Sequence, residues 1–463
     1  MQMIDNQQWA IENFSACKLG HIKRTERLVK VAANMLECPD SSLPKQNADW
    51  SDLKAAYRLF DRDECTLGKI AGPHREQTRQ NGTGKRCLLI CDTTDLSYYT
   101  HKATEGLGML GDGKGVGLQL HSCLMIDRST GQVFGQAGAM TYYRKRVPDQ
   151  ESRAERLART RESELWGDIV DQVGPSRAKS HWTYVFDRGG DNFDAMCRIQ
   201  KQGCHWIIRA GKLNRKVIDS TSKMVYLRDA IRQVTVLGTY ELSLRSRPGQ
   251  TSRTAKLRVS FTTVTLPRPA HLPSEVRANG IRSITSNVVI VEEFDAPKGV
   301  TPIRWVLLTD QPVETFAQAW EIVECYEQRW LIEEYHKVLK TGCNIEGHAL
   351  RTAARLEAMI GIVVVIGIRL LSIKMEARNA PETPAKKYVP STWLTALKGL
   401  SKRIQLAELT VYQFFRELAR VGGFLVRKGD GEPGWQTIWC GYQKLQMVVT
   451  GIEIANRQHP KRG

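Results

Sequence analysis

Three carboxylates in this chain stand where chemistry could use them. Asp92 closes the apolar run "CLLICD" and Asp187 closes "WTYVFD". In each, a strand-like segment runs straight into an acid, at the carboxyl end of a strand where open α/β sheets gather their ligand sites. The third acid, Glu333, lies in "YEQRWLIEEYHKVLKTG" (326–342), which reads as one helix. At about 100° per residue, Tyr326, Arg329, Glu333, Lys337 and Lys340 fall within one face of roughly 80°, while Glu334 points away and reads as a surface or capping residue. Singly, each acid is ordinary, since Asp is common in turns and Glu and Lys four apart often only stabilise a helix. Together, in a strongly basic chain, they point to a divalent metal site. Mg²⁺ prefers oxygen ligands and leaves room for phosphate and water, and paired ions can activate water and stabilise the leaving oxygen in phosphodiester transfer. The neighbouring Tyr, Arg and Lys would hold phosphates, arginine through a planar fork and lysine as a point charge.

The rest of the chain limits what those acids could serve. At 463 residues it is too long for one compact core, which implies two or three domains. A formal net charge of +18 attracts polyanions, either nucleic acid or an anionic membrane. The opening "MQMIDNQQWA" lacks a basic stretch followed by an apolar one, so no signal peptide is expected. The most apolar run, Ala358 to Ile368, covers eleven residues between Glu357 and Arg369, too few to span a bilayer, and reads as a buried helix. No membrane role is expected, and DNA or RNA becomes the expected partner. Eleven cysteines, an odd number without a Cys-x-x-Cys pair, read as reduced cytosolic thiols.

The elements that would position the acids follow from periodicity. The first seventy or so residues read as helical, with aromatic anchors at Trp9, Phe14, Trp50, Tyr57 and Phe60. Their basic stretch "HIKRTERLVK" is either a solvated charged face or a helix whose Lys23, Arg24 and Arg27 contact phosphates. From about Lys85, "CLLICD", "LQLHSCLMI" and "QVFGQAG" read as three strands, followed by a charged helix from Arg153 to Val173. The strand "WTYVFD", a helix from Asn192 to Gln202 and the strand "HWIIRAG" complete an α/β layer. A β-rich insertion occupies about 212–297, and "IRWVLLT" returns to a buried strand. "PETPAKKYVP" reads as a linker into a small helical domain. The expected division is a helical domain at 1–72, an α/β domain at 73–376 and a helical domain at 377–463. Two glycine-rich stretches are expected to be turns: "NGTGKR" lacks the first Gly and the Ser/Thr of a phosphate-binding loop, and "GDGKGVG" has no helix after it.

At these residues a resemblance becomes specific. The spacing Tyr-x2-Arg-x3-Glu-x6-Lys, met by Tyr326, Arg329, Glu333 and Lys340, resembles the signature of bacterial cut-and-paste DDE transposases of the insertion-sequence-four group, transposon-five type. "CDTTDLSYY" and "FDRGGDNFDAM" resemble that family's first and second catalytic segments. The likeness extends through "FSACKLGHIKRTERLVKVAANM", "KAAYRLF" and "GGFLVRKGDGEPGWQTIWCGYQKLQ", and so covers nearly the whole chain. It implies a ribonuclease-H-like core interrupted by the β insertion, an N-terminal domain that reads transposon ends, and a C-terminal domain that dimerises the protein on DNA. Asp92, Asp187 and Glu333 would be the catalytic and metal-binding triad, served by Mg²⁺ with Mn²⁺ as a substitute. Tyr326, Arg329, Lys337 and Lys340 would grip end phosphates, and Arg209 in "IIRAGK" would contact DNA. Trp305 in "RWVLL" matches an aromatic against which a flipped base stacks; read without the resemblance, it is core packing beside a strand. The family excises its element through a hairpin intermediate and joins the ends to target DNA, which implies a cytoplasmic bacterial protein, nucleoid-associated when bound. Two other readings stand beside this one: a ribonuclease-H-like nuclease that cuts without joining, and a non-catalytic DNA-binding regulator.

Overall fold

The computed structural model describes residues 6–458 except 48, 112, 149, 153–154, 156–158, 160, 233, 235, 245–251, 271–279, 388, 402–407 and 428–429. The chain opens with helices α1 (Asn6–Phe14), α2 (Ile22–Glu37), α3 (Leu43–Gln46), α4 (Trp50–Phe60) and α5 (Leu67–Asn81). In α2 the buried residues Leu28, Val29, Ala32, Met35 and Leu36 recur at helical spacing, while Lys23, Glu26 and Lys30 stay outside. Of the expected aromatic anchors, Trp9, Phe14 and Phe60 are buried, but Trp50 is 72% exposed. As the first residue of α4 it lies at the rim of the bundle, where a side chain can miss the core.

A twelve-stranded mixed sheet follows, built from β1 (Arg86–Ser97), β2 (Gly108–Leu110), β3 (Gly115–Asp127), β4 (Val133–Tyr142), β5 (His181–Phe186), β6 (His205–Arg209), β7 (Lys216–Ile218), β8 (Met224–Tyr226), β9 (Val236–Leu244), β10 (Arg253–Pro267), β11 (Ser283–Glu293) and β12 (Arg304–Thr309). Its order is β2-β3-β1-β5-β6-β12-β11-β10-β7-β8, with β4 on β3 and β9 on β10. Only β1, β5 and β6 run parallel to their neighbours among themselves; the other pairings are antiparallel. The β-rich stretch at 212–297 therefore prolongs one continuous sheet through β11 and β12. Within the "GDGKGVG" segment, Gly111, Gly113 and Lys114 lie in the turn between β2 and β3, as expected, and Gly115 opens β3; "NGTGKR" is the turn from α5 into β1.

Helices cover both faces of the sheet: α6 (Leu165–Val173), α7 (Phe193–Lys201), the short α8 (Leu227–Ala230), α9 (Phe316–Glu327), α10 (Trp330–Lys337) and α11 (Ala353–Asn379). Of the charged helix expected from Arg153, α6 and the turn Glu162–Glu164 before it are described, and most of 153–160 lies outside the described residues. Along β1 the two faces separate residue by residue: Leu88, Ile90 and Leu96 pack in one core, and Cys87, Leu89 and Cys91 in the other. Burial on both sides is why this strand reads as an unbroken apolar run.

The apolar segment Ala358–Ile368 is indeed a buried helix, but the helix is far longer than those eleven residues. It belongs to α11, 27 residues long, which is long and apolar enough to cross a membrane; 83% of its most apolar window is buried inside the protein. Flanking charges do not end it, because Arg369 stacks over the Trp9 ring and Lys374 pairs with Glu334. The α11 helix also runs across the domain boundary expected at 376/377, as α5 does at 72/73. The chain closes with α12 (Ser391–Leu400), α13 (Val411–Val421) and α14 (Trp435–Gln458), whose buried residues form a separate small core. All eleven cysteines are unpaired.

Candidate active site

The strand register brings the two aspartates together. Parallel pairing of β1 with β5 sets Leu88 beside Thr183, Leu89 beside Tyr184 and Ile90 beside Val185. Two residues further the same offset sets Asp92 beside Asp187, and both follow the parity of Ile90 and Val185, which face one core. Asp187 does sit just past the end of β5, where its Oδ1 accepts the Gly189 N–H at 2.7 Å. Asp92 does not end its strand: β1 continues to Ser97 because β3 keeps pairing with it, so only the parallel pairing stops there.

The segment expected to be one helix is three. The α9 helix ends at Glu327, α10 begins at Trp330, and Val338–Gly342 is a π-helical turn. At the junction the amides of Arg329, Leu331 and Ile332 donate to the carbonyls three residues back, a tight turn that shifts the helical phase. The projected single face is thereby divided. Tyr326 is buried on α9 with its ring edge-on to half-buried Trp305, centroids 5.6 Å apart. Its hydroxyl interacts with Arg209, whose Nη2 also donates to the Arg304 carbonyl at 3.1 Å. Lys337 is exposed, and the π turn carries Lys340 to Glu346, 3.7 Å away.

Glu333 stays at the site. Arg329 lies between it and Asp92: Nη1 is 3.2 Å from Asp92 Oδ2, and Nη2 pairs with Glu333 Oε1. Glu334, read from the sequence as a surface or cap, is instead a positioning residue. It holds Lys374 of α11 at 2.6 Å with both side chains largely buried, and so pins α10 against the long helix.

Burial, then the nearby Asp187 carboxylate, pushes the Asp92 carboxyl up to about 6, with Glu333 adding to the rise and Arg329 opposing it. A raised carboxyl pKa favours the protonated folded state, so its contribution is complete below the ordinary value of 3.8 and is lost as pH rises through about 6. Asp187→Asn removes one source of repulsion. We expect the metal-free variant to lose less melting temperature than wild type between mildly acidic and neutral pH; equal losses would show that the two carboxyls do not sense each other.

Beneath α10 runs a buried polar chain that the sequence did not reveal. Gln136 of β4 donates from Nε2 to the Tyr335 hydroxyl at 3.0 Å, and Tyr335 donates to the Val364 carbonyl at 2.8 Å. The Gln136 amide donates to His74 Nε2 at 3.2 Å, which leaves the proton on Nδ1 to reach Asn13 Oδ1 at 2.8 Å. Burial pushes His74 down to about 4, consistent with that neutral tautomer. His74 can approach because residue 135 is glycine at φ +153°, where a Cβ would meet the Thr78 hydroxyl and His74 Nε2. Tyr335→Phe strands the Gln136 donor and is expected to cost about 1–2 kcal/mol of stability, read by urea unfolding. On the other face of β1, His121 Nδ1 lies 2.7 Å from the Thr93 hydroxyl, next in chain to Asp92. Histidines paired this way carry no sequence signal, because their partners are remote in the chain.

In the N-terminal helices the basic residues are tied to acids: Lys23 to Glu26 at 2.9 Å, Arg24 to Glu64 at 3.0 Å and Arg27 to Asp52 at 2.6 Å. Arg24 and Arg27 are half-buried and Lys23 is exposed.

An all-carboxylate donor set suits a hard divalent cation. Among the described residues, however, no group of three acids, histidines or cysteines is drawn close enough to hold one. Glu333 is held by Arg329 instead.

Comparison with known families accounts for most of the chain. Residues 6–65 match a family described as "Transposase DNA-binding", 155–366 match "Transposase DDE domain", and 365–461 match "Transposase Tn5 dimerisation domain". The second span includes Asp187 and Glu333, while Asp92 precedes it. With its two terminal regions and its core all matched to parts of one kind of enzyme, the chain belongs to the Tn5-type DDE transposases of the insertion-sequence-four group, DNA-binding enzymes that form dimers and work through divalent metal ions.

Proposed function

We propose that this transposase binds the terminal inverted repeats of its own element, excises it through a hairpin intermediate and joins the freed ends to target DNA, as a dimer on DNA. The reading is supported by the strand register that sets Asp92 beside Asp187 and by Arg329, which bridges Asp92 to Glu333, with Tyr326 and Arg209 nearby. The antiparallel β3-β1 pair continued by parallel β5 and β6 supports a ribonuclease-H-like core, with the strands of 212–297 as its insertion. The division into an end-binding domain at 1–72, a catalytic domain at 73–376 and a dimerisation domain at 377–463 belongs to the same reading, with helices α5 and α11 bridging the boundaries.

Asp92, Asp187 and Glu333 would hold Mg²⁺, or Mn²⁺ in its place, which when bound would polarise the scissile phosphate and activate water or a 3′-hydroxyl. The protein's own residues do the positioning. Arg329 offers two donors to a phosphate, and Tyr326 with Arg209 offers a third contact point. Trp305 can present its half-buried face to an unpaired base with Tyr326 bracing its edge. Lys337 is exposed and free to reach the backbone of the end, and Lys340 can do so on leaving Glu346. In the N-terminal domain exposed Lys23 is the readiest phosphate contact. Arg24 and Arg27 must first exchange Glu64 and Asp52 for DNA. A cytoplasmic location, on the nucleoid when bound, fits this role.

The test is a plasmid carrying the element's terminal repeats, incubated with the protein in Mg²⁺ or Ca²⁺. Release of the element with hairpin ends, followed by Mg²⁺-dependent joining to a second plasmid, is the expected result. Cutting without any joint product would make the protein a nuclease. Tight end binding with no cutting in any metal would make it a regulator.

A further inference from the structure

We infer that Arg329 is a placeholder cation: in the DNA-free protein it occupies the space between Asp92 and Glu333, and a phosphate of the bound end draws it away, so that DNA admits the metal. The inference rests on the assignment of the three acids as the metal site, and goes beyond it by making metal loading conditional on the substrate.

The geometry supports this in three steps. First, the guanidinium takes one oxygen of each acid, through Nη1 to Asp92 Oδ2 at 3.2 Å and Nη2 to Glu333 Oε1. A Mg²⁺ ion binds oxygens at about 2.0–2.1 Å in near-octahedral order. The flat fork of arginine keeps the two carboxylates wider apart than one ion would, which agrees with the absence of any gathered three-ligand set among the described residues. Second, the pairing is well sheltered. The Arg329 and Asp92 side chains are 16% and 18% exposed, so the contact is only weakly screened by solvent. A metal ion must therefore displace a bound cation as well as its own water. Third, Arg329 is built to leave. It lies in the tight turn between α9 and α10 rather than within either helix, and among the described residues the ion pairs of its side chain are those to the two acids. A phosphate offers the same bidentate partner that a carboxylate does. The other bases of the motif are elsewhere, Lys340 at Glu346 and Arg209 at Tyr326, and do not fill this gap.

Thermodynamic linkage makes the idea quantitative. If a bound end raises metal affinity by a given factor, metal must raise end affinity by the same factor. A ligand that met Arg329 equally in both positions would shift nothing.

The experiment uses the full-length protein and Mn²⁺ itself, its binding read by electron paramagnetic resonance. It compares protein alone with protein on a pre-cut terminal duplex, which has no scissile phosphate left to hydrolyse. Wild type, Arg329→Gln and Asp187→Asn are measured side by side, with duplex alone subtracted. The pre-cut duplex should tighten Mn²⁺ binding to wild type at least tenfold. Without DNA, Arg329→Gln should bind Mn²⁺ at least tenfold tighter than wild type. At saturating Mn²⁺, the affinity of wild type for the same pre-cut duplex should rise by the factor seen for Mn²⁺ binding. The inference is overturned if wild type binds Mn²⁺ equally well with and without the duplex, an outcome that does not depend on how any variant folds. It is equally overturned if wild type and a folded Arg329→Gln bind alike without DNA. If Asp187→Asn on the duplex binds Mn²⁺ as wild type does, the acids are not the metal site, and the assignment itself falls together with the inference.

Discussion

Glu333→Gln should bind the element's ends as wild type does in Ca²⁺, yet cut them in Mg²⁺ slower by on the order of 10³-fold, about 4 kcal/mol of lost transition-state stabilisation. The substitution keeps the shape and length of the side chain, so packing of α10 is unaffected; Leu331, Ile332, Tyr335 and His336 carry that packing. It removes the one charge that α10 contributes to the acid cluster and with it the partner of Arg329 Nη2. The neighbouring acid supplies the control. Glu334→Gln leaves the cluster intact but breaks the tie to Lys374, so it should lower melting temperature while the remaining folded protein still cuts. Cleavage by Glu333→Gln at near the wild-type rate, or loss of cleavage by a stably folded Glu334→Gln, would reverse the roles given to the two residues. Asp187→Ala belongs to the same test: if it still excised the element, the three-acid assignment would be wrong.

The second large effect lies far from the acids. Helices α13 and α14 meet at two glycines. A Cβ on Gly441 would run into the Leu418 carbonyl oxygen, and one on Gly422 into the Thr437 carbonyl oxygen. Both obstacles are backbone, which cannot rotate aside as a side chain can. Gly441→Val should therefore force the helices apart and cost about 3 kcal/mol or more. The affected core is the small one formed by residues such as Leu397, Phe414, Leu418, Ile438 and Leu445. A loss of that size is a large part of the margin of a small domain. Since 365–461 match the family's dimerisation region, the expected readout is loss of the two-protomer complex on DNA, measured by light scattering, while a single protomer still binds one end. A variant with unchanged stability and an intact dimer would show that this close approach supports neither.

How much of this was legible beforehand depends on the range of the interaction concerned. Asp92, Asp187 and Glu333 could be picked out because each departs from its own local pattern: an acid at the close of an apolar run, or an acid on the basic side of a helix. The strands, most helices, both glycine turns and the unpaired cysteines also rest on short-range chemistry and were read correctly in outline. The errors came where distant segments meet. A projection at a constant 100° assumed one helix across 326–342, but the tight turn at Arg329 and the π turn after Lys337 are stabilised by packing against the sheet and α11. The same blindness made Glu334 a surface residue, Trp50 a core anchor and Asp92 the end of its strand. The ion pairs of Arg24 with Glu64 and Arg27 with Asp52 were likewise invisible, because those acids lie 40 and 25 residues away; whether the two arginines contact phosphate is a separate matter.

By itself, then, the sequence determined the chemistry on offer: three acids, a set of basic and aromatic neighbours, a polyanion as partner and the family to which they belong. The tertiary structure alone decided the arrangement. Register between β1 and β5 sets Asp92 beside Asp187, and the helix junction swings Arg329 between Asp92 and Glu333. The reason is physical: side-chain type and helical phase act over a few residues, whereas strand register and ion pairing are chosen by the burial of whole elements against one another, a balance no local pattern records.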